Sequence, residues 1–249
     1  MKISIITVVW NNVETIKNAI DSVLSQTYKD IEYIIIDGAS NDGTVEIIKS
    51  YGDSISKFVS EPDKGLYDAM NKGISLATGD VVGILNSDDF YVDEDVIDTV
   101  VKVFEKNKCD SMFADLVFVK ANNLDKVVRY YDSGKFHPSK FAYGWMPAHP
   151  TFFVKREFYT KYGLYKLDYK IAADYELLIR FLHKYKLSYY YLPKSIIKMR
   201  VGGVSTSGIQ SNYILNKEII RGCRENELKT NWFKVLSKYP AKLLGLLKK

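Results

Sequence analysis

Four acidic stretches carry residue types and spacings that could do chemistry. In "GILNSDDF" an apolar run leads straight into Asp88 and Asp89. Adjacent carboxylates repel unless water screens them or a cation joins them, and hard oxygen ligands suit Mg2+ or Mn2+ sharing its shell with a diphosphate. A solvated turn is the ordinary alternative, and in the adjoining "FYVDEDVIDTV" capping of a helix is an ordinary role for Asp93. In "IIIDGASNDGT", Asp37 either caps the next helix, as Asp42 could, or accepts from a base imide while the glycines admit a nucleotide. In "EPDKGLYDAMNKG", Pro62 and Gly65 specify a tight turn tipped by Asp63 and Lys64. A lysine beside a helix N-terminus suits phosphate, and a solvated turn is again the plain reading. Finally, "IAADYELLIRF" opens a helix with Asp174 and Glu176, where capping and proton abstraction are compatible duties.

The elements that must position these groups are legible for the first 105 residues. Apolar β-branched runs, "KISIITVVW", "IEYIIID", "ISKFVSE" and "VVGILNSDD", alternate with helical patterns. In the first helical pattern Ile16, Ala19, Ile20, Val23 and Leu24 recur at helical spacing. Strands separated by helices predict βαβ units and a mostly parallel sheet. Ligands bind such sheets at the carboxyl ends of the strands, which here are Asp37, Glu61/Asp63 and Asn86-Ser87-Asp88-Asp89. After residue 106, "CDSMFADLVFVKA" and "VVRYYDS" read as antiparallel strands. "AADYELLIRFLHKYK" reads as an amphipathic helix, and "LSYYYLPKSIIKMRVGGVST" returns to strand. The pattern predicts one domain over 1–216, with a nucleotide-binding half (1–105) and an acceptor-binding half (106–216), and a helical tail over 217–249.

Composition narrows the class. Apolar residues at 47% and charged residues at 26% fit a globular protein. Two cysteines make neither a disulfide framework nor a metal cluster and point to a reducing, cytoplasmic setting. The opening "MKISIITVVW" reads as a strand and not as a signal peptide, and no apolar run approaches the ~20 residues that span a bilayer. The net charge of +5 resides in the tail, where residues 217–249 hold nine basic against three acidic side chains. A nucleic-acid surface spread over the body is therefore not expected.

The ordered set "TVVWNN", "IDGASNDGT", "EPDKGLYDAMNKG" and "TGDVVGILNSDD" resembles the inverting glycosyltransferases of family 2, which have the GT-A fold: a Rossmann-like, mostly parallel α/β sheet flanked by helices. It is most similar to bacterial O-antigen and surface-polysaccharide transferases, and the likeness runs over roughly residues 1–205. The resemblance implies that Thr7, Val9 and Asn11 line a nucleoside pocket and that Asp37 binds the uracil edge. It puts Asp63, Lys64 and Asp68 against the ribose or donor face. Asp88 and Asp89 take the metal and ribose position usually written Asp-x-Asp, whose first aspartate is Asn86 here, leaving fewer charges for the metal. Asp174 matches the catalytic base, although Ala173 stands where the family has an acid. Trp145, His149 and Tyr175 border the acceptor, His149 also reaching the diphosphate or the metal. Arg200, before the paired glycines of a mobile loop, neutralises the departing diphosphate.

The expected activity is transfer of a hexose or N-acetylhexosamine from a UDP-sugar, with Mn2+ or Mg2+, to a polyprenyl-diphosphate-linked saccharide, forming a β-linkage. The tail segment "NWFKVLSKYPAKLLGLLKK" joins Trp232, Phe233, Leu236, Leu243, Leu244 and Leu247 to five lysines. Such a segment suits an anionic membrane surface, here the inner face of the plasma membrane, or packing on the body or on a second copy. A nucleotidyltransferase would carry a Gly-rich basic fingerprint after its first strand, which "VVWNNVETIKN" lacks. A non-catalytic nucleotide-sugar binder or scaffold stays open at this level.

Overall fold

The computed structural model describes residues 1–201 and 209–239. The chain runs β1 (Ile3–Val9), α1 (Ile16–Leu24), β2 (Ile31–Asp37), α2 (Thr44–Lys49), β3 (Lys57–Ser60), α3 (Leu66–Leu76), β4 (Val81–Ile84), β5 (Phe90–Tyr91) and α4 (Val96–Asn107). It continues through β6 (Ser111–Lys120), β7 (Asn123–Tyr131), β8 (Phe153–Lys155), α5 (Glu157–Tyr162), α6 (Ala173–Ile179), β9 (Tyr189–Arg200), α7 (Ile209–Glu225) and α8 (Trp232–Leu236). The strands form one sheet in the order β3-β2-β1-β4-β8-β6-β9-β5, with β7 paired to β6. The first four strands are parallel to one another, as are β6 and β9, whereas β8 enters antiparallel between β4 and β6.

This is the mixed, mostly parallel sheet that the alternating sequence predicts, and its strands read apolar throughout because both faces are covered. On one face α1 and α4 pack Ile16, Ile20, Val96 and Val100 against Ile3, Ile5 and Tyr33. On the other, α3, α6, α7 and α8 pack Met70, Leu178, Ile219 and Val235 against Ile6, Val8 and Ile36. The α3 helix lies close because it carries Gly73, where a Cβ would sit 2.4 Å from Ile6 Cγ2; an alanine there would force the helix off the sheet.

Two expectations are corrected. The segment after Ala172 is not amphipathic: from Tyr175 to Leu182 every residue is buried, including Glu176 and Arg180. The two charges are internal partners at 3.0 Å, and Glu176 also accepts from Asn226 and meets Lys166 at 3.1 Å. Polar letters thus mimicked a wet face that the fold closes over. The tail does not begin at 217, since that boundary falls inside α7, whose Ile219, Ile220 and Cys223 enter the same core as Tyr175 and Leu177. Part of its basic charge is neutralised on the body, with Arg221 pairing Asp168 and Glu225. Gly202, Gly203, Leu243, Leu244 and Leu247 lie outside the described residues.

Candidate active site

The parallel register places Val9, Asp37 and Ser60 side by side at the carboxyl end of the sheet. Asp37 is fully buried there. One of its oxygens accepts from the Ser40 hydroxyl, and the other from Ser60 Oγ at 2.6 Å and Ser40 N at 3.0 Å. It stands at the expected strand end, with its carboxylate tied to the loop after β2 and to the end of β3. Thr7 and Val9 do not line a pocket: Thr7 is buried against the Tyr33 hydroxyl at 3.1 Å, and Val9 is core. Alternation along β1 turns both inward and leaves Trp10, 68% exposed, as the first side chain beyond the sheet.

Around Trp10 the donor-side residues converge. Asn11, at φ 47°, accepts from Asn41 N at 2.9 Å and so holds the loop after β2. A Cβ on Gly38 would fall 2.6 Å from Asp63 Oδ2 and 3.4 Å from Trp10 Cδ1, so the glycine lets a carboxylate and an indole share one mouth. Asp63 accepts from Gly65 N at 2.7 Å and Asp68 from Lys64 N at 3.0 Å, which folds the turn and leaves the Lys64 side chain exposed. Asn12 and Thr15 then reach across to Ser87, at 2.8 and 2.9 Å, joining this mouth to the Asp88-Asp89 turn. Trp10, Asn12, Ser40 and Ser60 border this mouth without having been singled out from the sequence, whereas Ser87 belongs to the strand end already named there. An aromatic directly after a buried strand was the available signal for Trp10; Ser40 and Ser60 offered none.

The two aspartates of the turn differ. Asp88 is half-buried, whereas Asp89 is buried, accepts from Asn86 Nδ2 at 3.2 Å, and has its carboxyl pKa pushed well up by burial and then by the Asp88 charge. Asp88 is therefore the accessible carboxylate. Two acceptors on this turn, Asn86 Oδ1 and Asp89 Oδ1, are buried without a hydrogen-bond partner, an arrangement that costs free energy unless a cation or donor satisfies it. The donors are hard oxygens and fit Mg2+ or Mn2+. Among the described residues no group of three His, Cys, Asp or Glu could hold a metal alone, so diphosphate and water would complete the shell. Arg200 is 8% exposed and lies beneath the turn, donating to the Asp88 carbonyl and, at 2.8 Å, to Asn18 Oδ1. It braces Asp88 from behind and does not stand free for a leaving group.

Asp174 occupies the first turn of α6. Its Oδ1 accepts from Tyr175 N at 2.7 Å and lies 3.5 Å from the Tyr67 hydroxyl, while Oδ2 is 3.2 Å from His149 Nδ1. Burial and then the Asp174 charge push the Tyr67 phenol far above its usual range, keeping it a donor. Asp174 and His149 also border a largely apolar recess of about 10 Å3, lined further by Met70, Ile84, Phe152 and Leu178. His149 thus meets Asp174 through Nδ1, a contact that does not engage its other ring nitrogen, Nε2. Tyr175 is also displaced from its expected place at the acceptor: it is 3% exposed and its hydroxyl donates to the Phe141 carbonyl in the core. Trp145 stays at the surface, 36% exposed.

Comparison with known proteins gives the family and the fold. Residues 4–163 match the model of Glycosyl transferase family 2. The uncharacterized glycosyltransferase Rv1514c of Mycobacterium tuberculosis is 33% identical over 180 residues, which cover 72% of this chain and 68% of that protein. S. aureus TarS 1–349 in complex with UDP-GlcNAc has a TM-score of 0.71 at 16% identity, covering 92% of this chain and 68% of that one. Against the longer TarS chain, the matched region spans 41% of its length. The mannosyltransferase PcManGT from Pyrobaculum calidifontis, in complex with GDP-Man and Mn2+, has a TM-score of 0.62 at 15% identity, covering 99% of this chain and 81% of that one. The structural likenesses establish the GT-A fold.

Proposed function

Because this chain belongs to the family 2 glycosyltransferases, we propose that it is an inverting transferase that takes a hexose or N-acetylhexosamine from a UDP-sugar and places it in β-linkage on a lipid-diphosphate-linked saccharide, as in surface-polysaccharide assembly. The observation that carries the reading is Asp174, 14% exposed at the start of α6 and held on both oxygens, by Tyr175 N and by His149. Inversion is a single in-line displacement. The acceptor oxygen bonds to the anomeric carbon, its proton passes to Asp174, and the bond to the diphosphate oxygen breaks with its electron pair leaving on UDP. The Tyr175 N–H and His149 fix the carboxylate so that one acceptor hydroxyl is addressed.

On the donor side Trp10 offers a face for the uracil, and Asn11, Asp63, Lys64 and Asp68 border the ribose. Asp88, with Asn86 and Asp89 behind it, would hold Mg2+ or Mn2+, which neutralises charge on the departing diphosphate. TarS with UDP-GlcNAc and PcManGT with GDP-Man and Mn2+ support a nucleotide-sugar and a divalent cation as ligands of this fold. Among the described residues no helix is long and apolar enough to cross a membrane. Contact with a lipid-borne acceptor falls instead to α8, where Trp232 and Phe233 are 39% and 89% exposed beside Lys234.

The test is release of UDP from UDP-glucose, UDP-galactose and UDP-N-acetylhexosamines with a synthetic lipid-diphosphate-GlcNAc or -GalNAc acceptor. Acceptor-dependent release that Asp174→Asn abolishes is the expected result. Tight UDP binding with no acceptor-dependent release from any donor would make the protein a binder instead.

A further inference from the structure

We infer that Glu218, on α7, is a positioning residue that sets Asp174 in place from outside the catalytic half of the sheet; this rests on the reading of Asp174 as the base. The Glu218 carboxylate is 8% exposed. One oxygen accepts from Lys170 N at 2.7 Å, and the other from Ile171 N and Ala172 N, each at 2.9 Å. Three successive peptide N–H groups converge on one anion, as in backbone nests that bind external anions. Here the anion is the protein's own, and the three residues are those that lead into α6.

The geometry explains why Asp174 is available at all. A helix leaves its first N–H groups unsatisfied, and a local Ser, Thr, Asp or Asn usually caps them. The cap position of α6 is Ala172, which has no side-chain acceptor. Were Asp174 needed to tie down this approach, its carboxylate would turn back onto the backbone. Glu218 holds the N–H groups of 170–172, just ahead of the helix, and Asp174 makes one backbone bond, from Tyr175 N. From the opposite side the Tyr67 hydroxyl donates to the Ile171 carbonyl. The approach to the base is therefore gripped at its N–H groups by α7 and at a carbonyl by α3.

The grip is rigid because α7 is itself fixed. Ile219, Ile220 and Cys223 are buried in the core, and Arg221 pairs Asp168, four residues past Leu164 on the same incoming segment. An aspartate has a short side chain, so any shift of its backbone reaches the carboxylate almost undiminished. Proton abstraction needs heavy atoms within about 2.6–3.2 Å, and a displacement of about 1 Å can cost on the order of a hundredfold in rate. Losing the clamp should thus lower turnover without touching the donor mouth, which is built on β1, β2 and β4.

The experiment compares Glu218→Ala and Glu218→Gln in the full chain, measuring kcat, the KM of donor and acceptor, UDP affinity by calorimetry, and Tm. For Glu218→Ala the expected result is a fall in kcat of about 10- to 100-fold with donor KM and UDP affinity within about twofold. Glu218→Gln, whose amide oxygen still accepts, should recover much of the loss. A kcat within twofold of the parent in Glu218→Ala overturns the inference. So does a loss of kcat matched by an equal loss of UDP binding. Where the alanine variant does not fold, Glu218→Asp, which withdraws the oxygens by one methylene, must show the same kcat-only loss. Failure of the base itself looks different: Asp174→Asn would then turn over normally while Glu218→Ala does not.

Discussion

His149 Nδ1 stands 3.2 Å from Asp174 Oδ2, across 25 positions of sequence, and this contact holds one oxygen of the carboxylate while Tyr175 N holds the other. Replacing Asp174 with Asn should reduce kcat by at least about 100-fold while UDP affinity stays within twofold, because general-base assistance contributes about 10²–10⁴. His149→Ala should give a smaller loss, about 10-fold, again in kcat. Steady-state kinetics beside calorimetric titration with UDP would check both, and an equal fall in UDP affinity would move His149 to the donor side.

Arg200 donates to the Asp88 carbonyl and to Asn18, so it holds the turn and not the leaving group. Arg200→Ala should lower the affinity for UDP with Mn2+ by about 10-fold, as expected for losing charge-assisted hydrogen bonds worth roughly 1.5–3 kcal/mol. Arg200→Lys should not rescue it, since one ammonium cannot span both acceptors. Asp88→Asn should make UDP binding insensitive to Mn2+. Calorimetry with and without Mn2+ reads both outcomes.

Trp10 is the exposed aromatic at the donor mouth, 3.4 Å from where a Gly38 Cβ would lie. Trp10→Ala should raise the donor KM about 10-fold and leave kcat within threefold, because stacking on a base holds ground state and transition state alike. Trp10→Tyr should restore most of the affinity. A kcat-only effect would exclude the stacking role.

Glu32 is 4% exposed and accepts from Ser4, Thr78 and Lys57. Burial alone would push its carboxyl up, but the Ser4, Thr78 and Lys57 hydrogen bonds outweigh it and hold the group well below the usual carboxylate range. A depressed pKa stabilises the fold above the unfolded value near 4.5 and loses that contribution as pH falls toward the folded value. Glu32→Gln should therefore cost about 2 kcal/mol at pH 7 and progressively less below about pH 4. Urea unfolding at pH 7 and pH 3 measures the difference, and a pH-independent cost would contradict the assignment.

Phe233 is 89% exposed, and Trp232, stacked on Tyr213 at 5.8 Å, is 39% exposed. Phe233→Glu should weaken co-sedimentation with phosphatidylglycerol vesicles at least about 10-fold while leaving the Tm within 2 °C, since the side chain has no packing to lose. Phosphatidylcholine vesicles should bind neither protein. Equal binding of parent and variant to anionic vesicles would remove α8 from the membrane contact.

Much of the fold was readable because its causes are local. The β-branched runs Ile3–Val9 and Ile31–Asp37, the helical spacing of Ile16, Ala19, Ile20 and Val23, and the Gly/Asn/Asp turns each act within about ten residues. They place acids at strand ends whatever the rest of the chain does. The helix from Ala173 misled because Glu176 and Arg180 neutralise one another in the core, and a pairing of charges is invisible to a count of polar positions. Thr7 and Tyr175 misled for a related reason: a motif names a position, while the pleat or the helix face decides whether its side chain looks out or in.

What the sequence determined by itself was the order of strands and helices, the acidic mouth of a nucleotide-type sheet, and Asp174 at a helix start. The tertiary structure alone decided which acids are accessible, with Asp88 half-buried and Asp37 and Asp89 enclosed. It alone brought Arg200 beneath Asp88, 112 positions away, and Glu218 to the N–H groups before Asp174, 46 positions away at Ala172. Burial and long-range hydrogen bonding arise only when distant segments pack, so no window of the chain contains the information that sets them.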